Sequence, residues 1–450
     1  MSRFLFTTLP TNDLGLLTRS LPIAAALASR GHSVTFCSPA RAPSRLIADA
    51  GFQNRIPNHP LYALIAHGAT PRGLLRLVRS GSLRRYGSPL RALRDLVLAL
   101  PLRSPPRTHE IWNVDHAGAQ LGMLNEGFVR ANCAAMLELI ASSDVDVVVD
   151  FWNPFAVLAA RALRKPVVTV IQADAHPRSA GFIWWKQPPA DLPTPVPVLN
   201  RVLASYGLPP IRSLSELSVG DLTLCVGMPE TDPLPADAAV TYVGPILWQK
   251  PEASLPAWIA ELSSDTPLIW LYAGNPRYGS ADELLDSAIV LRASIAALRD
   301  EKVHLIITTG HHPLPRDLLP LPANVRHEAY LPGLAMAERS DLLIHHGGYG
   351  SCQTGLLCGK PAVIVPTYAE RESNARRVAA LGAAALVPVT YVAGKKYVDV
   401  AELRAAVRRV LAEPSFTANA KRASERLRSY GGTAAAAVAI EQFAHQHAVR

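Results

Sequence analysis

The stretch Leu342-Leu-Ile-His-His-Gly-Gly-Tyr-Gly-Ser351 passes from an apolar run of strand length, through glycines, into a helical pattern that begins near Cys352. A strand that turns through glycines into a helix presents backbone N–H groups and the positive end of the helix dipole, and both suit a phosphate group. A glycine-rich turn alone is weak evidence, because glycine also marks ordinary tight turns. The motif predicts a diphosphate-binding turn between a strand and a helix of an α/β fold.

Further motifs flank this turn in a specific order. Tyr330-Leu-Pro332 precedes it, and Gly359-Lys-Pro361, the apolar run 362–365 and the segment 370–375 follow it. In that order and spacing, residues 325–375 resemble the donor-binding signature of the inverting glycosyltransferases that use nucleotide sugars. These enzymes include plant and bacterial small-molecule glycosyltransferases and have the two-domain GT-B fold. The resemblance implies that fold and that activity for this chain.

The resemblance continues more thinly outside this segment. Tyr242-Val-Gly-Pro245 and residues 268–275 are similar to the family's interdomain region and its first C-terminal strand. Residues 4–9 with Arg30-Gly-His32 are similar to the unit that opens its N-terminal domain. The middle of the N-terminal half carries no motif that matches.

Apolar runs of strand length alternate with helical patterns through both halves, which predicts two parallel, doubly wound, Rossmann-like domains that face a central cleft. The strands expected in the first half are 4–8, 33–37, 145–151, 167–171 and 222–226. Those expected in the second half are 268–273, 304–308, 325–329, 342–345, 362–365 and 385–387.

Prolines cluster between Met228 and Pro256, as in a linker without regular structure. We therefore expect an acceptor-binding domain at 1–228, a linker at 229–256 and a nucleotide-sugar-binding domain at 257–432. The alanine-rich tail at 433–450 is expected to form a helix that, as in the resembling family, packs back on the N-terminal domain.

Composition narrows the class of protein. The chain has 450 residues, 49% of them apolar, which is ample for two domain cores. Its five cysteines are dispersed without a Cys-x-x-Cys pair, so neither a disulfide framework nor a zinc site is indicated. No run reaches the roughly 18 apolar residues that span a bilayer, and we expect a cytoplasmic protein.

The net charge of +9 is concentrated in one stretch, since residues 71–107 contain nine arginines, from Arg72 to Arg107, and a single acid, Asp95. Such a surface suits peripheral contact with anionic lipid or recognition of an acidic acceptor. The alternative is that these arginines only form a solvated surface. Nucleic-acid binding is not expected, because no recognised module accompanies the charge.

By the resemblance, the diphosphate is held by a cradle of donor groups. His346 donates to a phosphate oxygen and is the first catalytic candidate. Backbone groups complete the cradle, together with the Ser351 hydroxyl: Gly274, Asn275, Gly347, Gly348, Tyr349, Gly350 and Ser351. No metal and no cofactor are expected, and the nucleoside diphosphate sugar is a co-substrate.

The resemblance also implies a sugar site around Glu370 and Asn374. A carboxylate such as Glu370 suits the paired hydroxyls of a hexose. Arg371 stands where the family usually has Gln, which indicates either an unusual, acidic sugar or a side chain that faces solvent or pairs with a neighbouring glutamate. Tyr330 stands where the family has the aromatic residue that packs on the nucleobase. Thr354 stands where the family has the ribose-binding Glu. Both UDP and dTDP donors therefore remain open.

The catalytic base is the least defined part of the site. The family's base position falls on Leu16, which cannot move a proton. Asp13 is the carboxylate in the same loop and is the second catalytic candidate. It could equally cap the helix that follows. His176, behind a predicted strand, is an alternative base.

Aromatic residues of the unmatched region are candidates for an acceptor pocket. The acceptor-binding candidates are Trp112, Trp152, Phe155, His176 and Trp184, although large aromatics more often belong to a core. The sequence thus predicts transfer of a sugar to a small, apolar or aromatic acceptor. The alternatives are a transferase that acts on a lipid at the membrane surface and a nucleotide-sugar-binding pseudoenzyme or partner subunit.

Overall fold

The computed structural model describes residues 1–11, 14–57, 71–79, 90, 110–249, 254–274, 287–310 and 312–448. The predicted site residues Asp13 and Asn275 lie outside these ranges. So does most of the arginine-rich stretch, so that its predicted contact with lipid stays a prediction.

The N-terminal half contains a parallel sheet. Its strands are β1 (Arg3–Thr8), β2 (Ser33–Cys37), β3 (Gln53–Asn54), β4 (Val147–Phe151), β5 (Val167–Ile171), β6 (Leu222–Cys225) and β7 (Thr241–Tyr242). They are ordered β3-β2-β1-β4-β5-β6-β7. Strands β4 and β5 are buried along their whole length. Their continuous apolar runs reflect helices on both faces of the sheet.

Helices connect these strands. They are α1 (Gly15–Ser29), α2 (Arg41–Asp49), α3 (Pro71–Arg79), α4 (Val114–Gly118), α5 (Glu126–Ala141), α6 (Pro154–Ala162) and α7 (Val196–Ser205). Helix α1 begins six residues before the helical pattern read from the sequence, which started at Leu21. The helix continues through Pro22. A proline removes one helical hydrogen bond, and this loss does not always end a helix.

The C-terminal half repeats the architecture. Its strands are β8 (Leu268–Tyr272), β9 (His304–Thr308), β10 (Val325–Glu328), β11 (Leu342–His345), β12 (Ala362–Ile364) and β13 (Ala384–Leu386), ordered β10-β9-β8-β11-β12-β13. Its helices are α8 (Ala257–Ala260), α9 (Ala288–Leu298), α10 (Gly333–Arg339), α11 (Tyr349–Leu357), α12 (Ala369–Ala380), α13 (Val400–Ala412) and α14 (Pro414–Ser429). An antiparallel hairpin joins β14 (Thr390–Val392) to β15 (Lys395–Tyr397).

This architecture confirms the predicted pair of parallel, doubly wound sheets. The order of strands reverses beside β1 in the first sheet and beside β8 in the second. In such sheets ligands bind outside the carboxyl ends of the strands at the reversal. The loop from β1 into α1 and the turn from β11 into α11 lie at these two places. Side chains that follow the strand ends of one domain contact those of the other, as with Tyr349 and Asp232.

The last helix, α15 (Gly432–Ala448), packs against α1. Its Ala436, Ala437 and Ile440 are fully buried in a core that also includes Phe4 and Phe6 of β1. Glu441 bonds both Arg30 and His32 at 2.9 Å. The chain therefore ends on the N-terminal sheet. Among the described residues, no helix combines the length and apolar character that crossing a bilayer requires.

Candidate functional site

The turn after β11 is tightly constrained by its glycines. Gly347 has a φ of 83°, in the left-handed region that L side chains rarely adopt. A Cβ at this position would lie 2.6 Å from the carbonyl oxygen of Arg371. The buried His345 accepts the Gly347 N–H at 3.2 Å, and burial lowers the pKa of His345 to about 3. A neutral imidazole therefore holds the turn in shape.

His346 occupies a narrow slot formed by this turn and the end of β8. A Cβ at Gly348 would lie 2.5 Å from its Nε2, and a Cβ at Gly274 would lie 3.1 Å from its Cε1. The imidazole is 7% exposed and packs edge-on against Tyr272, with ring centroids 5.9 Å apart. Nδ1 lies 3.4 Å from the Tyr272 carbonyl oxygen.

The electrostatics of His346 suit an anionic ligand. Burial, reinforced by the charge of Arg371, lowers its pKa well below the ordinary value, so the free protein holds it neutral near pH 7. No described residue bonds its Nε2. An anion at Nε2 would favour the protonated ring, which can donate to the anion through Nε2 while Nδ1 faces the Tyr272 carbonyl.

Helix α11 presents its N-terminus beside this imidazole. The first backbone bond of the helix runs from the Cys352 N–H to the Gly348 carbonyl at 3.1 Å, so the three preceding N–H groups have no partner in the helix. A Cβ at Gly350 would meet nothing within 4 Å, which shows open space at this end. Thr354 instead donates to the Gly350 carbonyl at 2.8 Å and stays bonded to its own helix.

Helix α12 contributes a carboxylate and an amide to the same turn. Asn374 Nδ2 donates to Glu370 Oε1 at 2.7 Å and to the Gly347 carbonyl at 3.1 Å. The pKa of Glu370 is raised, chiefly by burial, and Arg371 and Arg19 pull it back down. The structure thus brings Glu370 and Asn374 together with the His346 turn.

Arg371 is buried rather than solvent-facing. Its side chain is held within the domain, since the residue is 8% exposed, bonds Thr367 and lies over the Tyr368 ring at 5.2 Å. Glu372 bonds Arg376 instead. Of the two readings of Arg371, orientation toward solvent is therefore wrong. Tyr330 is half-buried just before α10, and burial raises its pKa.

The acceptor candidates divide into separate groups. Phe155 is fully buried in the N-terminal core against Phe128, so its assignment to a pocket wall is wrong: α6 turns this side chain inward. Trp152 packs at the edge of that core with a φ of 62°. The backbone N–H of the half-buried Trp112 donates to His116 at 3.3 Å.

His176 and Trp184 lie nearer to the other domain. The His176 Nδ1 accepts the Arg178 N–H at 3.1 Å, and burial lowers the pKa of the ring. Trp184 is 45% exposed, and its indole N–H donates to Ser373 of α12 at 3.2 Å. Trp184 thus connects its loop to the helix that carries Glu370.

Sequence reasoning missed a set of buried charges between the domains. Arg377 of α12 bonds Asp174, which follows β5, at 2.6 Å, and both side chains are buried. Tyr349 contacts Asp232 at 2.8 Å and also the Val226 carbonyl. Burial raises the pKa of Asp232 to about 6. No local signal marks these residues, because each partner is more than 100 positions away.

Asp150 was also missed, at the reversal of strand order in the first sheet. It pairs in register with Thr7, whose hydroxyl donates to it at 2.5 Å, and it accepts the Asn153 N–H at 3.0 Å. Burial raises its pKa to about 7. The sequence signal that could have identified Asp150 is a carboxylate within an otherwise apolar strand.

One group of described residues has the spacing of metal ligands: His32, Glu441 and His445. The Ser2 N–H donates to His32 Nδ1 at 3.1 Å, so Nε2 carries the proton and donates to Glu441. A protonated nitrogen cannot bind a metal ion. We interpret this group as the bond between α15 and the N-terminal sheet.

Comparison with known proteins identifies the fold. Across 99% of both chains, the structure matches Spinosyn Forosaminyltransferase SpnP with a TM-score of 0.66 and 20% identity. It matches glycosyltransferase VinC in complex with DTDP with a TM-score of 0.66 and 19% identity, over 99% of this chain and 100% of that one. The chain has the GT-B fold. At this level of identity the likeness establishes the fold and not the activity.

Sequence comparison adds relatives of part of the chain. Residues 291–436 match the family described as Erythromycin biosynthesis protein CIII-like, C-terminal domain. The chain is 34% identical to 4'-demethylrebeccamycin synthase of Lentzea aerocolonigenes over 41% of this chain and 40% of that protein. It is 28% identical to NDP-glycosyltransferase YjiC of Bacillus subtilis (strain 168) over 53% and 58%. The chain thus spans about half the length of these curated relatives.

Proposed function

We propose that this GT-B protein is a glycosyltransferase that moves a sugar from a nucleoside diphosphate to a small, apolar or aromatic acceptor, with inversion and without a metal. The observation that carries the proposal is His346, buried in a slot at the N-terminus of α11 with its Nε2 unbonded among the described residues. An imidazole that becomes a donor when an anion favours its protonation, beside helix N–H groups without a partner in the helix, is suited to charge that develops on a leaving diphosphate. The relative from Bacillus subtilis, named an NDP-glycosyltransferase, supports the same activity.

The proposed reaction is a direct displacement. The bond from the anomeric carbon to the diphosphate oxygen breaks, and its electron pair leaves on the diphosphate. The acceptor oxygen forms the new bond on the opposite face of that carbon, and the acceptor proton passes to a base. His346 and the N–H groups at the start of α11 stabilise the leaving group.

The donor sugar is proposed to bind at Glu370. Its carboxylate is oriented by Asn374 Nδ2 at 2.7 Å, and the same amide bonds the His346 turn, so sugar and diphosphate are positioned by one connected unit. A thymidine diphosphate donor is favoured, because the structural relative VinC was solved in complex with DTDP. Uridine diphosphate is the alternative.

The acceptor is proposed to bind between the N-terminal domain and α12. Trp184 bridges these parts, and Trp112, Trp152 and His176 belong to the same domain as Trp184. Asp13 remains the proposed base, since it belongs to the loop between β1 and α1. The relatives named for natural products support a small-molecule acceptor.

A thermal-shift panel tests the donor half of this proposal. Diphosphates of thymidine, uridine, guanosine, adenosine and cytidine, with their sugars, should include a ligand that raises the melting temperature, because a ligand of the native state stabilises it. His346→Ala should reduce turnover by about 10² or more, the scale of losing one donor to a developing anion. His445→Ala is the matched control, because the His445 side chain is exposed and lies outside the candidate site.

The outcomes separate the alternatives. No shift with any nucleotide rejects the proposed function. A shift without sugar transfer to any acceptor, and without slow hydrolysis of the donor, favours a nucleotide-sugar-binding partner subunit. Unchanged turnover in His346→Ala removes this side chain from the mechanism.

A further inference from the structure

Arg19 reaches the candidate donor site from the opposite domain. It lies on α1, one helical turn after Leu16. Leu16 occupies the position where the resembling family places its catalytic base. Residues three apart share one face of a helix, so Arg19 lies on the same face of α1 as Leu16. Its guanidinium carbon is 4.7 Å from the centre of the Tyr349 ring, and Tyr349 is the first residue of α11.

The surface beneath Arg19 is rigid. Tyr349 is buried, and its hydroxyl is held by the Asp232 carboxylate at 2.8 Å and by the Val226 carbonyl. The ring therefore forms a fixed platform at the start of α11. A guanidinium that stacks on an aromatic face keeps its N–H edges free to bind other groups.

The charge of Arg19 is not neutralised by a bonded partner. Within the described part of the chain, its guanidinium forms no hydrogen bond and no ion pair, and it stacks on the ring of Tyr349. Its charge reaches Glu370, whose pKa it lowers. Arg19 is partly exposed, stacks on the first residue of α11, and is near enough to Glu370 for its charge to act on that carboxyl. An unpaired cation at this point is placed for an anion.

We propose that Arg19 binds the diphosphate of the nucleotide-sugar donor from the N-terminal side of the cleft. This inference rests on the proposed function. The buried His346, with its unbonded Nε2, and the free N–H groups of α11 hold the same diphosphate from the C-terminal side. A guanidinium group offers several N–H donors in a planar fork, which suits the oxygens of a diphosphate. Arg19 thereby stabilises the electron pair that the breaking bond leaves on the diphosphate oxygen.

The proposed contact between Arg19 and the diphosphate also couples the two domains. The guanidinium belongs to the helix that follows the proposed base loop, whereas the α11 N–H groups belong to the donor domain. A diphosphate that bonds both would tie the two domains together while the acceptor is in place. Arg19 is thus a catalytic residue in this proposal, because it touches the reacting group.

Calorimetric titration with the five nucleoside diphosphates of the thermal-shift panel tests the inference. Arg19→Gln should weaken binding of the preferred diphosphate about 10- to 100-fold, the scale of a hydrogen bond to a charged group. Arg19→Lys should restore part of that loss. The salt dependence of binding should also decrease in Arg19→Gln, because one charge contact is gone. Arg45→Gln removes a charge from exposed α2 and is the matched control.

The same titrations distinguish the two proposals. If the wild-type protein binds none of the five diphosphates, the proposed function fails and this inference falls with it. If His346→Ala weakens binding and Arg19→Gln matches the wild type within twofold, only the role of Arg19 is wrong. If steady-state kinetics show that Arg19→Gln raises the KM of the acceptor while the titration shows unchanged diphosphate affinity, Arg19 serves the acceptor and the inference is also overturned. Melting curves of each variant establish that it is folded.

Discussion

At the scale of single residues, the site combines groups whose protonation is controlled by burial. His345 and His346 are kept neutral by desolvation, whereas Asp150 and Asp232 have raised pKa values for the same reason. Burial always disfavours the charged form, so it acts in opposite directions on imidazoles and carboxylates. The two imidazoles are therefore neutral near pH 7 and do not add to the positive charge that Arg19 and Arg371 place near the turn.

The base is tested by Asp13→Asn. If Asp13 removes the acceptor proton, this substitution should lower turnover by roughly 10²–10⁴, the range of general base catalysis, and leave donor binding intact. If Asp13 only caps α1, Asn should replace it with little loss. Steady-state kinetics together with nucleotide titration measure both effects. Near-normal turnover would reject Asp13 and direct the search to His176.

Asp150 predicts a dependence of stability on pH. Its pKa is about 7 in the folded protein and about 3.8 in the unfolded chain, so the unfolded state loses its proton first as the pH rises. Its contribution is fully present below about pH 3.8 and is lost as the pH rises toward 7. The free energy of unfolding of the wild type, relative to Asp150→Asn, should fall by about 1 kcal/mol per pH unit in that window.

Urea unfolding of both proteins at pH 5, 6, 7 and 8 measures this difference. It should level off above about pH 7, where Asp150 is ionised in both states. Using the difference cancels the opposite trend of paired surface carboxylates such as Glu126 and Asp146, whose pKa values are lowered by arginines. A difference that stays constant from pH 5 to 8 would contradict the raised pKa.

At the scale of elements, the turn from β11 to α11 depends on glycine at defined places. Gly347→Ala should destabilise the protein by about 2 kcal/mol, because its φ of 83° strains an L residue and its Cβ would meet the Arg371 carbonyl. Gly350→Ala is the control, since its Cβ enters open space within a helix. Its stability should be equal to that of the wild type or higher by up to about 1 kcal/mol.

Thermal or urea unfolding compares the two alanine variants directly. Equal stability of Gly347→Ala and Gly350→Ala would show that the turn tolerates a side chain at 347. The comparison also separates backbone strain from loss of helix N–H groups, because both variants keep every N–H.

Most of the secondary structure could be predicted because parallel strands covered on both faces are continuous apolar runs. Val147, Val148 and Val149 of β4 illustrate this, since all three are buried. The strands β3 and β7 and the hairpin β14–β15 were missed, because two or three residues carry no detectable period. The start of α1 was also missed, since the helix begins at Gly15 and not at Leu21.

At the scale of the whole molecule, the domains are joined through a buried ion pair. Arg377→Met should destabilise the protein by about 3–5 kcal/mol, because it leaves the Asp174 carboxylate buried without its partner. Arg408→Met is the control, since Arg408 is 66% exposed and bonds Glu301 at 2.7 Å. Loss of an exposed pair should cost less than about 1 kcal/mol.

The free energies of unfolding of the two methionine variants decide this prediction. Similar values would mean that the interdomain pair is solvated in solution and does not hold the domains together. If Arg377→Met also weakens nucleotide binding, the position of α12, and with it Glu370, depends on the pair.

The candidate site shows the same division between local and distant information. The strand-to-helix turn of the candidate site could be found from His346 and its glycines, because strand, turn and helix are consecutive in the chain. Arg19 could not be found in this way, since its partner Tyr349 is 330 positions later and meets it only when the domains pack. Phe155 was assigned wrongly, because a sequence does not show which side of α6 faces the core.

The sequence by itself determined the class of fold, two doubly wound parallel sheets, and the position of the strand-to-helix turn of the candidate site. Both follow from local rules: the period of apolar residues, and the need of a strand-to-helix turn for glycine. Only the tertiary structure decided which charges are buried, which are paired across the domains and which, like Arg19, stack on an aromatic ring without a bonded partner among the described residues. Burial and pairing depend on residues brought together from distant parts of the chain, and a local pattern does not encode that proximity.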